Sequence, residues 1–278
     1  MKSNFIYYVY HDDTSKHQMT SSVVNRIAVV LCGYEFIPLS VSYHGAGNRF
    51  WHAVPVCTYL LDTDEGYMLI DAGLDEQKLR NETCLNRYFP RPGGHPAPLV
   101  TQEHELLPQL AELGVQPNAV THLILTHLHA DHTGNIKRFP SSIVHLQEKE
   151  YEASLDLPPS EGYINEEYQG IPLSQMGLYE GDTDLFPGIE LIFTPGHTAG
   201  HQSILITNKD GRQFIIVGDA VDDRNNLAYG LLPGGMVDEE QAQNSVRRIE
   251  ELIQNGARPI FLHDAQQVRE IPLAPEWL

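Results

Sequence analysis

Four potential metal ligands lie within six residues of one another in this chain. The segment Thr126–Gly134 reads THLHADHTG and contains His127, His129, Asp131 and His132. Imidazole nitrogens and carboxylate oxygens are ligands that zinc and other divalent metals bind readily. Burying three imidazoles beside a carboxylate without a cation would leave several polar groups without partners. The spacing therefore predicts a metal site.

The same spacing predicts how these four residues are divided between cations. In an extended chain alternate side chains lie on one side, so His127 and His129 can meet one cation. If a helix begins near Ala130, Asp131 and His132 lie on its first turn and can reach a second cation. A junction between a strand and a helix would thus place four ligands around two metals.

Three further candidate ligands each follow an apolar strand. His197 lies in a tight loop that reads TPGHTAGH, Asp219 follows the run Ile215–Gly218, and His263 follows Ile260–Leu262. Each is weak evidence alone, but all three repeat the placement of a nitrogen or oxygen ligand directly after an apolar strand. A carboxylate at the position of Asp219 could bridge two cations.

Short strands and two helices are predicted to position these residues. Apolar runs bounded by turn residues predict strands at Val54–Leu61, Tyr67–Ile70, Val120–Thr126, Ile143–Leu146, Ile189–Thr194, Gln202–Thr207, Gln213–Val217 and Pro259–Leu262. Polar caps, acidic first turns and terminal glycines predict helices at Thr101–Leu113 and Asp238–Asn255. Segments rich in proline and glycine predict surface loops at Phe89–Pro98, Leu157–Tyr163 and Leu232–Gly235. Mixed sheets with interspersed helices indicate an α/β layered sandwich, with the ligands gathered at one edge of the sheets.

Composition and charge limit the class of protein and its partners. The 278 residues are 41% hydrophobic, a globular balance, and we expect residues 1–278 to form a single domain. Eighteen Lys and Arg residues against 37 Asp and Glu residues give a net charge of −19. Such a surface would repel phosphate backbones, so we expect no nucleic acid partner.

Localisation is predicted from the apolar segments and the cysteines. No apolar run approaches the roughly 20 residues that cross a bilayer, so we expect no membrane partner. The first 18 residues lack the pattern of a signal peptide, which favours a cytoplasmic protein. Cys32, Cys57 and Cys84 are scattered and form no CxxC pair, which argues against a disulfide framework or a sulfur-rich metal site.

The ordered motifs HLHADH, TPGHTAGH and GDA, followed by a late histidine after a strand, resemble the metallo-β-lactamase superfamily. The resemblance spans about Val54–Asp264 and implies an αββα sandwich, with two mixed β-sheets flanked by helices. It also implies two metal positions bridged by Asp219 and a hydroxide. The ligands would be His127, His129 and His197 for the first metal, and Asp131, His132 and His263 for the second. Asp71, in LIDAG, matches a carboxylate that orients this region from behind.

The expected cofactors are two divalent metal ions per chain. Zinc is the default because imidazole and carboxylate ligands suit it, and iron, manganese or cobalt fit the same ligands. Two such cations lower the pKa of a shared water to about neutrality and polarise a carbonyl or phosphoryl oxygen. The predicted protein is therefore a dinuclear metal-dependent hydrolase.

Within the superfamily, the chain resembles the N-acyl-homoserine lactonases and the related pyridoxolactonases. The early strand Val54–Val56 before LIDAG and the ending FLHD carry this finer resemblance. It implies a quorum-quenching lactonase that opens a lactone ring by attack of a metal-bridging hydroxide. The partner would be a small neutral lactone or ester, and a homodimer is compatible with this reading. Hydrolysis of another ester, a thioester or a phosphoester is the alternative, and a metal-binding protein without catalysis is a remote one.

One position departs from the lactonase pattern. Those enzymes commonly carry a tyrosine three residues after the bridging aspartate, where this chain has Asp222. A carboxylate cannot donate a hydrogen bond, so we expect Asp222 to point away from the substrate. Tyr229, the nearest phenol in the following loop, is the candidate donor to the developing oxyanion. Asp131 is the second candidate catalytic group, as the acid for the leaving oxygen.

Supporting roles are predicted for other histidines and aromatic residues. We expect His201 to support the site from behind, and His122 and His145 to be structural. The loop-adjacent aromatic residues are Phe50, Trp51, Tyr88 and Phe89. We expect most of them to belong to the core, and any that line the mouth of the site would favour an apolar acyl chain.

Overall fold

The computed structural model describes residues 22–89 and 95–278. The N-terminal segment that favours a cytoplasmic protein, and residues 90–94 of the predicted loop Phe89–Pro98, lie outside the described residues. The strands are β1 Val24–Pro38, β2 Trp51–Thr63, β3 Gly66–Ile70, β4 Val120–Ile124, β5 Ile143–Gln147, β6 Met176–Tyr179, β7 Thr183–Phe186, β8 Ile189–Phe193, β9 Gln202–Thr207, β10 Gln213–Ile216 and β11 Arg258–Ile260. The α-helices are α1 Leu39–Ser42, α2 Glu76–Arg80, α3 Glu82–Tyr88, α4 Leu106–Glu112, α5 Ala130–Thr133, α6 Glu148–Ser154, α7 Arg224–Tyr229, α8 Glu239–Gln254 and α9 Gln267–Glu270.

The strands form two mixed sheets. The first sheet has the order β1-β2-β3-β4-β5-β6, antiparallel from β1 to β3 and parallel from β3 to β6. The second has the order β11-β10-β9-β8-β7, in which only β10 and β11 run parallel. Of the strands that precede candidate ligands, β4, β8 and β10 lie inside a sheet, and β11 forms one edge of the second sheet.

Alternating side chains along β9 show how the sheets pack. Ile204 and Ile206 are fully buried against residues of the first sheet, in the core between the two sheets. Leu205 points to the opposite face, where it packs in a cluster with Val246 and Ile249 of α8. Because both faces of the strand are covered, its centre is the continuous apolar run Ile204–Ile206.

Helices cover the outer face of each sheet. Leu106 and Leu110 of α4 are buried in a cluster with Leu60, Leu69 and Leu123 of the first sheet. The packing of α8 on the second sheet completes four layers in the order helix, sheet, sheet, helix. The predicted αββα sandwich is confirmed.

The predicted helix Thr101–Leu113 is wrong as a single element. The chain forms a short 3₁₀ turn at Gln102–His104, becomes extended at Glu105, and begins α4 at Leu106. Pro108 explains the break, because it has no amide hydrogen for a helix that continues from Thr101 but is tolerated in the first turn of a new one. The predicted helix Asp238–Asn255 is confirmed as α8, capped by the Asp238 side chain on the Gln241 amide.

The long strand β1 was not predicted. Its pairing with β2 shifts between Leu31 and Tyr34, and Gly33 between them has a φ of 127°. This bulge interrupts the two-residue period that would have indicated a strand. After the bulge, Glu35 of β1 pairs with Val54 of β2.

No helix in the described ranges 22–89 and 95–278 is long and apolar enough to cross a membrane.

Candidate metal centre

The segment with four candidate ligands has the predicted junction geometry. Strand β4 ends at Ile124, the chain bends at Thr126, and α5 begins at Ala130. His129 has the extended φ and ψ of −70° and 157° that precede a helix. The change from extended to helical backbone turns His127 and His129 toward one position and Asp131 and His132 toward another.

A tight loop after β8 positions His197. Gly196 has a φ of 133°, and a Cβ atom there would lie 2.3 Å from the amide nitrogen of Ala242 in α8. Only glycine permits this approach. The imidazole is fixed by its Nδ1, which donates to the backbone oxygen of Gly235.

Asp219 follows β10 in a 3₁₀ turn. The preceding residue, Gly218, has a φ of 58°, and a Cβ atom there would lie 2.4 Å from Nε2 of His201. That nitrogen accepts a hydrogen bond of 3.0 Å from the amide of Asp219. His201 therefore holds the backbone of a candidate ligand and does not itself face the metal positions, as predicted from the sequence.

The first ligand group consists of His127, His129, His197 and Asp219, whose candidate ligand atoms lie within 4.8 Å of one another. Nε2 of His197 lies 3.2 Å from Nε2 of His127 and 3.0 Å from Nδ1 of His129. The same nitrogen lies 3.4 Å from Oδ2 of Asp219. Three imidazoles and one carboxylate oxygen thus converge on one point.

The second ligand group consists of Asp131, His132, Asp219 and His263, and all four residues are buried. Oδ2 of Asp131 lies 3.2 Å from Nε2 of His132 and 3.7 Å from Nε2 of His263. Asp219 belongs to both groups, since its Oδ1 lies 3.4 Å from His132 and its Oδ2 lies 3.4 Å from His263. The structure therefore brings all seven predicted ligands together.

Two buried polar atoms of these groups indicate that a cation fits. Nε2 of His132 and Oδ1 of Asp219 have no hydrogen-bond partner among the described residues. Such atoms are costly when buried, and a divalent cation between them would satisfy both. The donor set and its orphaned atoms fit a divalent metal site.

Backbone and side-chain acceptors orient the imidazoles. Nδ1 of His263 donates to the backbone oxygen of Pro55 over 2.9 Å, and Nδ1 of His132 lies 2.8 Å from Oδ2 of Asp71. Since these bonds occupy Nδ1, both rings present Nε2 to the centre. Asp71 has a φ of 57°, a strained conformation for a residue with a side chain, and this turns its carboxylate under His132 and Thr126.

Residues 53–254 match the metallo-beta-lactamase superfamily. The chain belongs to this superfamily. A protein from Bacillus sp named N-acyl homoserine lactonase is 33% identical over 226 residues, which cover 81% of this chain and 87% of that protein. The N-acyl homoserine lactonase AttM of Rhizobium johnstonii is 27% identical over 246 residues, covering 83% of this chain and 90% of that one.

Solved structures give the same superfamily fold. An N-acyl homoserine lactone hydrolase with the product N-hexanoyl-L-homoserine bound at its catalytic metal centre has a TM-score of 0.82 and 29% identity. The similarity covers 92% of this chain and 100% of that one. A quorum-quenching N-acyl homoserine lactone lactonase has a TM-score of 0.80 and 27% identity, covering 93% and 100%.

The two halves of this metallo-β-lactamase centre have opposite electrostatics before a metal binds. In the first group, burial lowers the pKa of His129 to about 3, and neighbouring imidazoles such as His197 add to the effect. In the second group, burial alone would lower the pKa of His263, but the carboxylates of Asp219 and Asp131 raise it to about 10. His132 behaves likewise, because nearby carboxylates raise its pKa well above the usual value.

Asp222 and Tyr229 lie in different environments. Asp222 is buried and forms a hydrogen bond with Ser42, and burial together with Asp219 raises its pKa to about 8 against the opposing effect of His263. Tyr229 lies on the last turn of α7 and is 73% exposed. Its role as a hydrogen-bond donor stays a prediction.

A shallow cleft lies beside the second ligand group. Its cavity is about 160 Å³ and is lined by Glu35, Phe36, Trp51, Phe89, His95, Pro96 and Pro98. Trp51 stacks on His95 with ring centroids 3.9 Å apart. Burial and the nearby Asp131 raise the pKa of Glu35 to about 8, which places this carboxyl group within electrostatic reach of the second group.

Sequence reasoning did not identify Glu35, whose signal was a single charge inside the apolar run Val29–Pro38. His122 and His145, predicted to be structural, lie with ring nitrogens 2.8 Å apart on neighbouring strands of the first sheet. They belong to neither ligand group.

Proposed function

We propose that this chain is a dinuclear metal-dependent lactonase that opens the ring of lactones of the N-acyl-homoserine type. One observation carries the proposal: two complete ligand groups share Asp219 at the sheet edge of a fold whose curated relatives are named N-acyl homoserine lactonases. Both sheets contribute to one inner core, which supports a single functional domain over residues 1–278.

Two zinc ions are the proposed cofactors, with iron, manganese or cobalt as alternatives for the same ligands. His127, His129 and His197 would hold the first ion, Asp131, His132 and His263 the second, and Asp219 both. When bound, two such cations activate a shared water near neutral pH and polarise a substrate carbonyl.

Two residues are proposed to assist the chemistry. Asp131, at the buried centre of the second group, would take the proton of the attacking water and return it to the leaving ring oxygen. Tyr229 would donate a hydrogen bond to the substrate from the last turn of α7. Loss of such a donor typically lowers turnover by about 10²–10³-fold. A fall of that size in Tyr229→Phe would assign the role to Tyr229. Unchanged turnover would mean that Asp131 is the only one of the two residues that assists.

The cleft beside Glu35 is the proposed site for the part of the substrate that does not react. Apart from Glu35, its walls are aromatic rings and prolines, which suit an apolar acyl chain, and the net charge of −19 favours a neutral substrate. We therefore propose a small neutral lactone as the partner, while a homodimer, a cytoplasmic location and the absence of nucleic acid and membrane partners stay predictions.

A hydrolysis panel on metal-reconstituted protein tests the function. It comprises acyl-homoserine lactones of several chain lengths, simple lactones, a cephalosporin, a glutathione thioester and a bis-aryl phosphodiester. We expect acid release from the acyl-homoserine lactones at rates far above the other classes. Faster hydrolysis of the thioester or the phosphodiester than of any lactone would overturn the proposal, and the same panel on Asp219→Ala protein removes the contribution of contaminating enzymes.

A further inference from the structure

A buried carboxylate outside both ligand groups connects the segments that carry the first one. Glu150 lies on α6 and is fully buried. Its Oε1 accepts hydrogen bonds from the amide of Leu128 at 3.0 Å and from the hydroxyl of Tyr163 at 3.1 Å. Its Oε2 accepts from the amide of Gly200 at 3.0 Å. Both oxygens of one carboxylate are thus bound to three separate segments.

All three donors adjoin ligands of the first group. Leu128 stands between His127 and His129 in the chain, and Gly200 lies three residues after His197. Tyr163 forms an isolated β-bridge with His129, and their ring centroids lie 4.8 Å apart. Each bond to Glu150 therefore holds a segment that carries or contacts a first-group imidazole.

The loop after His197 is packed against Glu150 more closely than most residues allow. A Cβ atom at Gly200 would lie 2.1 Å from the amide nitrogen of Glu150 and 2.5 Å from its Cβ atom. This contact explains the glycine in TPGHTAGH, because only glycine lets the loop reach the carboxylate. Hydrogen bonds to a buried charged acceptor are also stronger than neutral ones.

No bond of this kind joins the second group to Glu150 in the described part of the chain. There, His132 is oriented by Asp71 and His263 by the backbone oxygen of Pro55. Disturbing Glu150 should therefore affect one ligand group and leave the other intact.

We propose that Glu150 is a positioning residue for the first metal. It fixes the spacing between the turn that carries His127 and His129 and the loop that carries His197, so that three imidazoles converge before the ion arrives. The inference rests on the ligand assignment in the proposed function but is independent of the substrate.

The test is a metal titration of metal-free Glu150→Gln protein. The glutamine amide keeps one acceptor oxygen and places an NH₂ group against a backbone amide, so at least one bond is lost. We expect one equivalent of Co²⁺ or Zn²⁺ to bind with wild-type affinity and the other about 10–100-fold more weakly, as for other groups that orient metal ligands. Glu152→Gln, an exposed glutamate on the same helix, is the matched control and should bind two equivalents as the wild type does.

Double variants identify which metal position is weakened. With His197→Ala, which removes a first-group ligand, Glu150→Gln should add no further loss of affinity. In a His263→Ala background, which removes a second-group ligand, Glu150→Gln should weaken binding of the one remaining metal by about 10–100-fold, as in the single variant. Additive effects with His197→Ala would overturn the proposal.

Equally weakened binding of both metals, or unchanged binding of both, would also overturn the proposal. Binding of fewer than two metals by the wild-type protein would overturn it as well.

If Glu150→Gln does not fold, Tyr163→Phe is the variant to test, because it removes only one of the three hydrogen bonds. We then expect roughly 2–10-fold weaker binding at the first position alone, and unchanged binding would contradict the inference. Because no substrate is used, a failure of the lactonase assay leaves this result interpretable.

Discussion

The two ligand groups lie side by side and share Asp219, yet they are built differently. The first group has three imidazoles, of which His129 and His197 are partly exposed, and the segments that carry them are tied together through Glu150. The second is buried, contains a second carboxylate in Asp131, and has further carboxyl groups nearby in Asp71 and Asp222. One edge of the sandwich thus offers a pre-positioned site with one carboxylate and a buried site with more carboxyl groups, so metal binding at the two should depend differently on pH.

The largest expected effect comes from removing the residue that the two groups share. Asp219→Ala should lower kcat/KM for lactone hydrolysis by roughly 10³-fold or more, because both metal positions lose a ligand. Metal content after dialysis should fall at both positions. Asp210→Ala, an exposed aspartate in a surface turn, is the control and should retain activity and two metals. Loss of a single equivalent in Asp219→Ala would show that the aspartate serves one group only.

A smaller effect, confined to the second group, is expected from Asp71→Asn. Asparagine tolerates the positive φ of this position but is a weaker acceptor for Nδ1 of His132. We expect about 10–100-fold weaker metal binding at the second position, with the first unchanged. Isothermal titration of the metal-free variant measures both affinities. Equal weakening at both positions would mean that Asp71 supports the edge as a whole.

Proton release should distinguish the groups even without mutation. The lowered pKa values of His129, about 3, and of His127, well below the usual value, mean that these two first-group imidazoles are neutral at pH 7 and release almost no protons when a metal binds. The raised pKa of His263, about 10, means that this imidazole is protonated and must lose its proton. Affinity at the second position should therefore rise as pH increases from 7 toward 10, while affinity at the first changes little.

The measurement is calorimetry in buffers of different ionisation enthalpy. His197→Ala and His263→Ala isolate the second and the first position, respectively. His197→Ala protein, which retains the second position, should release more protons per metal bound than His263→Ala protein, which retains the first. Equal numbers would contradict the electrostatic difference between the groups.

The ligands were predictable from sequence because their signal is local. His127, His129, Asp131 and His132 are adjacent in the chain, and the change from strand to helix at Ala130 follows from their spacing. The resemblance to a known superfamily then gave the αββα fold and the order of the distant ligands. The ligands and the fold could therefore be predicted before the structure was known, because one short segment and an ordered set of motifs encode them.

The residues that support the site could not be predicted, because tertiary contacts alone give them meaning. Glu150 is one of three glutamates in the first turns of α6, and only the fold turns it onto Leu128 and Gly200. Glu35 lies in β1, whose bulge at Gly33 hid the strand. Pro108 shows the reverse case, because the break that it causes in the predicted helix depends only on the local sequence and could have been predicted.

The central claim is that lactone opening requires both ligand groups filled at once. The direct test is hydrolysis of an N-acyl-homoserine lactone by metal-free protein to which Zn²⁺ is added stepwise, with bound metal measured at each step. We expect negligible activity without metal, little activity at one equivalent, and a rise to a plateau at two. Full activity at a single bound equivalent would contradict it.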